Sequence, residues 1–224
     1  MPKVSAQYLA KKKKEIIEAA IRVCETKPAY EVTLRDVVRE CGISTGGIYN
    51  YFASIDEIFI EILNQAYSEY PYANEISKIF ESNLSVDEII INAFKMEGRM
   101  INSLYGQYGK FIMELDVILL NDSERGMSMM ANSKGNADGN VFISNLYKLL
   151  ETKIAEGVFN PVIPVSHILF TIIGAISGIR NGITSIEFTR EAFLMLGLTE
   201  DECSSAENMM EILAKTMLKL LNPK

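Results

Sequence analysis

The sequence has little of what metal and catalytic sites need. Its 224 residues contain one histidine, His167, and three cysteines, Cys24, Cys41 and Cys203, with no Cys-x-x-Cys pair. Zinc therefore has no ligand set, and acid-base chemistry built on histidine would depend on one residue. A Gly-rich phosphate loop, an HExxH motif and a cofactor fingerprint are also missing from the sequence. We expect no catalytic residue, no metal site and no cofactor, and we predict that the protein is not an enzyme.

Long apolar runs are missing as well. The most apolar stretch, residues 163–179, contains Pro164, His167 and several Gly, Ser and Thr residues. It is also shorter than the roughly 20 apolar residues that a bilayer requires. The cysteines are odd in number and widely spaced, which favours reduced thiols, and no apolar segment follows the early lysines. We therefore expect a cytoplasmic protein with no membrane partner.

The charge is unevenly distributed. The net charge of the chain is −7. Residues 1–53 nevertheless hold nine Lys or Arg against six Asp or Glu, whereas residues 54–224 hold 13 against 23. A basic end on an acidic protein is typical of a nucleic-acid binder that presents only one face.

That basic end contains two short amphipathic helices joined by a tight turn. The first has apolar residues at positions 34, 37, 38 and 41, follows a capping box of Thr33 and Asp36, and ends at Gly42. The second spans about residues 45–51 and keeps Ile48 and Phe52 for the core. This spacing predicts a helix-turn-helix.

The outward face of the second helix is uncharged. A surface helix normally carries Lys and Glu, yet no charged residue occurs between Glu40 and Asp56. The face offers small or hydrogen-bonding groups instead, as expected of a surface that enters a DNA major groove.

The run CGISTGGIYNYFASIDEIF, residues 41–59, resembles the end of the DNA-binding domain of TetR/AcrR-type transcriptional regulators. The resemblance covers about the first 65 residues. One departure is Ile55, which stands where the family usually has a phosphate-contacting Lys. Ile55 also continues an apolar stripe, so it is equally explained as a core residue.

The resemblance implies an all-α fold. Residues 1–53 would form an N-terminal three-helix helix-turn-helix DNA-binding domain, and a helix over about 54–70 would connect it to the rest. Residues 71–224 would form a larger helical ligand-binding and dimerisation domain.

Helical patterns extend along the chain. We predict a first helix over Ala6–Thr26, which Pro28 closes, and a connector that ends before Pro71. Further helices are predicted over about 85–102, 108–120, 140–156 and 165–183, and a last one starts near Ser204 or Ser205. Residues 121–140 are rich in Gly, Ser and Asn, which indicates a kinked or mobile lead-in.

Residues at the basic end are the candidates for contact with a double-stranded DNA operator. The lysines would bind phosphates, although they are also consistent with a solvated helix end, and the two tyrosines are also consistent with domain packing. Because the second helix has no Arg, we expect readout of thymine methyls, adenine and DNA shape rather than guanine. The predicted DNA-binding residues are Lys11, Lys12, Lys13, Lys14, Thr33, Arg35, Ser44, Thr45, Gly46, Gly47, Tyr49, Asn50 and Tyr51.

The resemblance also implies a pocket for a small-molecule effector in the helical body. Aromatic and Met-rich walls would suit an apolar or flat ligand, and Arg99 or Glu97 would fix a charge. The sequence pattern of each of these residues is also that of an ordinary core residue. The predicted lining is Phe94, Arg99, Met100, Leu104, Tyr105, Tyr108, Phe111, Met113, Phe142 and Tyr147.

The resemblance further implies that the two C-terminal helices pack against a second copy as a four-helix bundle, which would make the protein a homodimer. A monomeric core is the alternative. The predicted interface residues are His167, Phe170, Gly174, Gly178, Met210, Leu213, Met217 and Leu220.

The resulting hypothesis is a ligand-responsive transcriptional regulator. By the family's default it would be a repressor that binds a palindromic operator as a dimer and is released by a small apolar or amphipathic effector. The alternative is a helical protein-interaction module without sequence-specific DNA binding. Steep weakening of DNA binding by salt would favour the regulator.

Overall fold

The structure is a computed structural model that describes residues 5–68, 72–197, 199 and 205–222, without the side chains of 135–140 and 186–189. The fold is all-α, as predicted. A short 3-10 turn, Ala29–Glu31, follows the first helix. The α-helices, numbered α1 to α11, are Ala6–Thr26, Leu34–Cys41, Thr45–Ile48, Ile55–Ser68, Tyr72–Phe80, Val86–Asn121, Ser123–Ala131, Lys134–Ala155, Val165–Thr184, Ile186–Met195 and Ala206–Leu221.

The helices form two compact units. The first unit combines Met1–Glu69 with Phe111–Asn136, and the second combines Tyr70–Lys110 with Ala137–Lys224. Helix α6 contributes its C-terminal third to the first unit and the rest to the second. The predicted division of the chain at residue 70 remains a prediction.

Helix α1 has the predicted bounds. The Ser5 side chain caps its start by accepting a hydrogen bond from the Tyr8 amide. Its apolar stripe, which includes Ile17 and Ala20, is buried in the first unit. Helix α2 packs against α1, and the remaining core of this unit comes from Val37, Ile48, Phe52, Ile58 and Phe59.

The end of α6 completes this core. Phe111 meets Phe59 edge to face, with 5.4 Å between the ring centroids. The carboxylate of Glu114 accepts a hydrogen bond from the Ala29 amide at 2.8 Å, which satisfies a backbone donor in the turn after α1.

Several helix predictions for the body were wrong. The two helices predicted over 85–102 and 108–120 are one helix, α6. Residues 121–140, predicted as a kinked or mobile lead-in, form α7 and the start of α8, with breaks at Asp122 and at residues 132–133. Helices α5 and α10 were not predicted. Helix α11 takes Ser205 as its cap, with the Asn208 amide as donor. Cys203, Ser204, Tyr70 and Pro71 lie outside the described residues, so predictions on them are untested.

The second unit has its own apolar core around Phe94 and Phe142, whose ring centroids are 5.1 Å apart. Helix α9 packs against α11 in this unit. Close approach occurs at Gly98, where an added Cβ would lie 2.5 Å from the Glu207 Cα. Within the described residues, none of the helices is long and apolar enough to cross a membrane.

Candidate nucleic-acid interface

The helix-turn-helix is fixed by local caps. Thr33 and Asp36 form the predicted capping box at the start of α2. Gly42 ends that helix with a φ of 65°, a left-handed conformation that glycine adopts without strain. The Ser44 hydroxyl then accepts a hydrogen bond from the Gly47 amide at 3.0 Å and starts α3. Both helix starts and the turn are therefore determined by residues close in sequence.

Helix α3 is shorter than predicted. It ends at Ile48, and residues 49–51 continue it as a turn. Ile48 and Phe52 are buried, so they hold the segment on the core as predicted. Tyr49 is 59% exposed and Asn50 is exposed, whereas Tyr51 is half-buried against the core.

Thr45 and Gly46 are exposed at the capped start of α3. Together with Tyr49 and Asn50 they form the uncharged outward face of this segment. Backbone amides at a helix start and uncharged side chains can approach a phosphate or a base edge closely. The geometry thus provides a face that can enter a major groove.

The four lysines of α1 differ in their surroundings. Lys12 Nζ lies 2.5 Å from Glu15 Oε2, and Lys14 Nζ lies 3.8 Å from Glu18 Oε1. Lys13 lies over the Phe52 ring, 5.3 Å from its centroid. Three of the four predicted phosphate-binding lysines thus have a neighbouring protein group, so the four are not equivalent. Their contacts with phosphate stay a prediction.

Thr33 is less suited to a phosphate than predicted. Its amide and its hydroxyl both donate to Asp36 Oδ2, at 2.9 and 2.7 Å. Lys27 also binds this carboxylate at 2.8 Å. Lys27 and the Thr33 groups hold the pKa of Asp36 well below its usual range. Arg35 is exposed on the same helix, and its contact with DNA stays a prediction.

Ile55 is half-buried and packs against the core of the first unit. The first turn of α4 is capped by Ser54, and Glu57 accepts from the Ala53 amide at 2.7 Å. An apolar side chain followed by a capping carboxylate cannot reproduce a lysine-phosphate contact. The core explanation of Ile55 is the one that the structure supports.

Comparison with known proteins identifies this arrangement. Residues 16–62, from the second half of α1 into α4, match the sequence profile described as "Bacterial regulatory proteins, tetR family". The helix-turn-helix segment is therefore of the TetR type. The HTH-type transcriptional regulator YfiR of Bacillus subtilis is 28% identical over 204 residues, which cover 89% of this chain and 92% of the relative.

Solved TetR-family structures share the whole fold. PfmR from Thermus thermophilus has a TM-score of 0.59 at 18% identity, over 92% of this chain and 98% of that chain. The repressor FadR from Thermus thermophilus, solved in complex with lauroyl-CoA, has a TM-score of 0.51 at 14% identity, over 95% of this chain and 96% of that chain. The match of the helix-turn-helix segment and the full-length relative indicate a DNA-binding transcriptional regulator rather than an enzyme. They also favour the regulator over the interaction module.

The residues predicted to line an effector pocket fall in both units. Phe111 and Met113 belong to the first unit. Phe94, Met100, Leu104 and Phe142 are buried in the second. Tyr147 is 47% exposed, and Arg99 pairs with Glu207 at 2.9 Å. Tyr105 and Tyr108 are half-buried. The predicted pocket lining stays a prediction.

The second unit carries two features that the sequence did not indicate. Glu97 is 2% exposed, accepts a hydrogen bond from the Tyr72 hydroxyl and lies 2.6 Å from Arg180. Separately, a surface cleft of about 730 Å³ lies between the α5–α6 loop and the end of α8, where Phe80, Leu84 and Ile89 face Lys148. None of the predicted lining residues borders this cleft.

The residues predicted to form the dimer interface differ in how far they are buried. His167, Phe170, Gly174 and Gly178 are exposed along one side of α9, and Leu213 and Leu220 are half-buried on α11. Met210 and Met217 are fully buried within their own unit, so they have no surface to offer a second copy and are corrected to core residues. Ile212, which is 62% exposed, was missed.

The sequence analysis also missed two ion-paired carboxylates near the candidate nucleic-acid interface. Glu15 is three residues from Lys12, a spacing that brings side chains together on a helix and was readable in the sequence. Asp56 binds Arg125 with its two oxygens at 2.6–3.1 Å, and this partner lies 69 residues away. No local pattern indicates the second pair.

Proposed function

We propose that the protein is a ligand-responsive transcriptional repressor that binds a palindromic operator as a homodimer. The observation that carries the proposal is the uncharged, exposed face of Thr45, Gly46, Tyr49 and Asn50 on the TetR-type helix-turn-helix. A helix face that only contacts water normally carries Lys and Glu, so the absence of charge indicates that this face contacts another molecule.

A dimer would place two α3 segments about 34 Å apart, in successive major grooves on one side of the DNA. The capped start of α3 would approach a phosphate or a base edge. Tyr49 would contact sugars, phosphates or thymine methyls, and Asn50 would bind an adenine edge.

The operator is tested by selecting bound duplexes from a random pool. We expect an imperfect palindrome whose conserved positions are adenine and thymine or depend on DNA shape. A selected site whose specificity rests on major-groove guanine contacts would contradict the assignment of Tyr49 and Asn50. Recovery of no enriched sequence would contradict the proposed operator binding itself.

Dimerisation is supported by the outward side of α9. Phe170 is 80% exposed and Ile173 is 44% exposed, and Gly174 and Gly178 on the same side let a second helix approach closely. The segment 165–179 has no Asp, Glu, Lys or Arg. A second copy would remove this apolar surface from water and cover Ile212 of α11.

The dimer is tested by sedimentation of the wild type and of Phe170→Asp. We expect the wild type to sediment as a dimer and the variant as a monomer with an unchanged circular dichroism spectrum. Exposed Leu120→Asp, in the first unit, is the matched control and should stay dimeric. A monomeric wild type would sink this part of the proposal.

An apolar or amphipathic effector would bind the second unit and reduce operator affinity by preferring one of two states. The aromatic core around Phe94 and Phe142 and the cleft near Leu84 and Lys148 are the surfaces that suit such a ligand. Lauroyl-CoA, the ligand of the Thermus thermophilus FadR structure, is the first probe. Release of labelled operator is the readout.

Repression would follow from exclusion of polymerase at the operator, in the cytoplasm. A reporter placed behind the selected operator tests the direction of control. We expect expression of this chain to lower the signal, and the replacement Asn50→Ala to restore it. A rise in signal would make the protein an activator.

A further inference from the structure

An anion-binding arrangement lies at the start of α1, and the protein fills it with its own carboxylate. Lys12 Nζ is 2.5 Å from Glu15 Oε2, and Lys11 is one helical turn before Glu15 on the same face. The Lys12 and Glu15 side chains are 36% and 40% exposed, so the pair lies at the surface and is reachable by DNA.

The pair is electrostatically coupled to its surroundings. The pKa of Lys12 is raised, mainly by its hydrogen bond to Glu15 and in smaller part by the charges of Tyr8 and Tyr51. Lys12 in turn holds the pKa of Glu15 below its usual value, with a contribution from Lys11. The neighbouring Lys13 lies over the Phe52 ring, 5.3 Å from its centroid, so this part of α1 lies next to residues 45–52, which we call the reading segment.

We propose that Glu15 is an internal stand-in for a DNA phosphate, which holds Lys12 beside Lys11 in the free protein and yields Lys12 to the backbone when DNA binds. A carboxylate and a phosphate offer the same oxygen acceptors to an ammonium group. The pair thus positions Lys12 next to the reading segment without leaving it as a free cation. Glu15 is a positioning residue, since it contacts Lys12 and not the DNA.

The exchange has a measurable consequence for ion release. A lysine that neutralises a phosphate releases a condensed counterion, which contributes about −0.9 to the slope of log K against log salt. When Lys12 leaves Glu15, the freed carboxylate attracts cations from solution, which offsets part of this release. In Glu15→Gln the offset is absent, so the slope should become steeper, by at most about 0.9.

The experiment titrates random-sequence duplex DNA with the full chain at several salt concentrations, so it depends on neither operator nor effector. A fourfold reduction in salt should strengthen binding of Glu15→Gln more than it strengthens the wild type, by a factor of up to about 3.5. Glu18→Gln is the matched control. Its Lys14 partner is 3.8 Å away and both side chains are more than half exposed, so its slope should stay that of the wild type.

Lys12→Met and the double variant Lys12→Met/Glu15→Gln complete the cycle. Their slopes should be equal, because Glu15 then has no Lys12 to yield to the DNA backbone. The proposal is overturned if Glu15→Gln keeps the wild-type slope, if Glu18→Gln steepens it equally, or if the effect persists without Lys12. Thermal melts verify that each variant is folded. Absence of DNA binding by the wild type would instead overturn the proposed function, so the two failures are distinguishable.

Discussion

Removal of the Arg180 charge should destabilise the second unit strongly. Glu97 is 2% exposed and lies 2.6 Å from Arg180, whose side chain is 29% exposed. Replacing Arg180 by Met leaves a buried carboxylate with the Tyr72 hydroxyl but without its cation. Loss of one partner from a fully buried pair costs about 3–5 kcal/mol. Since Arg180 is partly exposed, we take the lower end, about 3 kcal/mol.

The double variant Glu97→Gln/Arg180→Met separates charge from packing. A neutral amide keeps the shape of the carboxylate and still accepts from Tyr72, so the cost should fall to about 1 kcal/mol. The difference of about 2 kcal/mol corresponds to about a thirtyfold change in the folding equilibrium. Adding Glu97→Gln to Arg180→Met would thus restore most of the lost stability.

The assay is urea denaturation followed by far-ultraviolet circular dichroism at one fixed protein concentration, because self-association shifts apparent stability. Arg99→Met is the control, since Arg99 is half exposed in its pair with Glu207 and its loss should cost at most about 1 kcal/mol. Equal stability of Arg180→Met and the double variant would refute the reasoning, because the cost would then lie in packing.

Three further outcomes are expected. Gly98→Ala should cost about 1–3 kcal/mol in the same denaturation assay, because its Cβ would lie 2.5 Å from Glu207 Cα, whereas Gly106→Ala, with open space, should not destabilise. Asp36→Asn should lower the melting temperature at neutral pH. The folded-state pKa of Asp36 is depressed by Lys27 and Thr33, so its stabilisation is present above about pH 4 and is lost on acidification below that, where the difference between the variant and the wild type should shrink. A difference that grows on acidification would contradict this sign. Asn50→Ala should reduce the preference for operator over random duplex by about 1–3 kcal/mol, measured by competition binding, while an equal loss on both duplexes would remove Asn50 from base readout.

The helix-turn-helix could be predicted because its determinants are local. The Thr33–Asp36 box and Gly42 act within four residues and are present as predicted, and the Ser44 cap, which was not predicted, is equally local. The length of α3 was overestimated, since residues 49–51 form a turn.

The body was harder to predict because its determinants are distant. Two helices were predicted where α6 is continuous, and within it Gly98 and Gly109 lie where Glu207 and Thr184 approach closely. The Glu97–Arg180 and Asp56–Arg125 pairs join residues 83 and 69 positions apart. Such glycines and pairs are explained only by packing, which a single sequence does not display.

Helix α6 makes the helix-turn-helix unit discontinuous along the chain. Phe111, Ile118 and Met129 complete a core whose other members lie between Ile16 and Ile62. A fragment that stops at residue 69 would expose that core to water. The reading segment therefore cannot be exchanged between regulators as an N-terminal cassette, and a working chimera must carry residues 111–136 from the same parent.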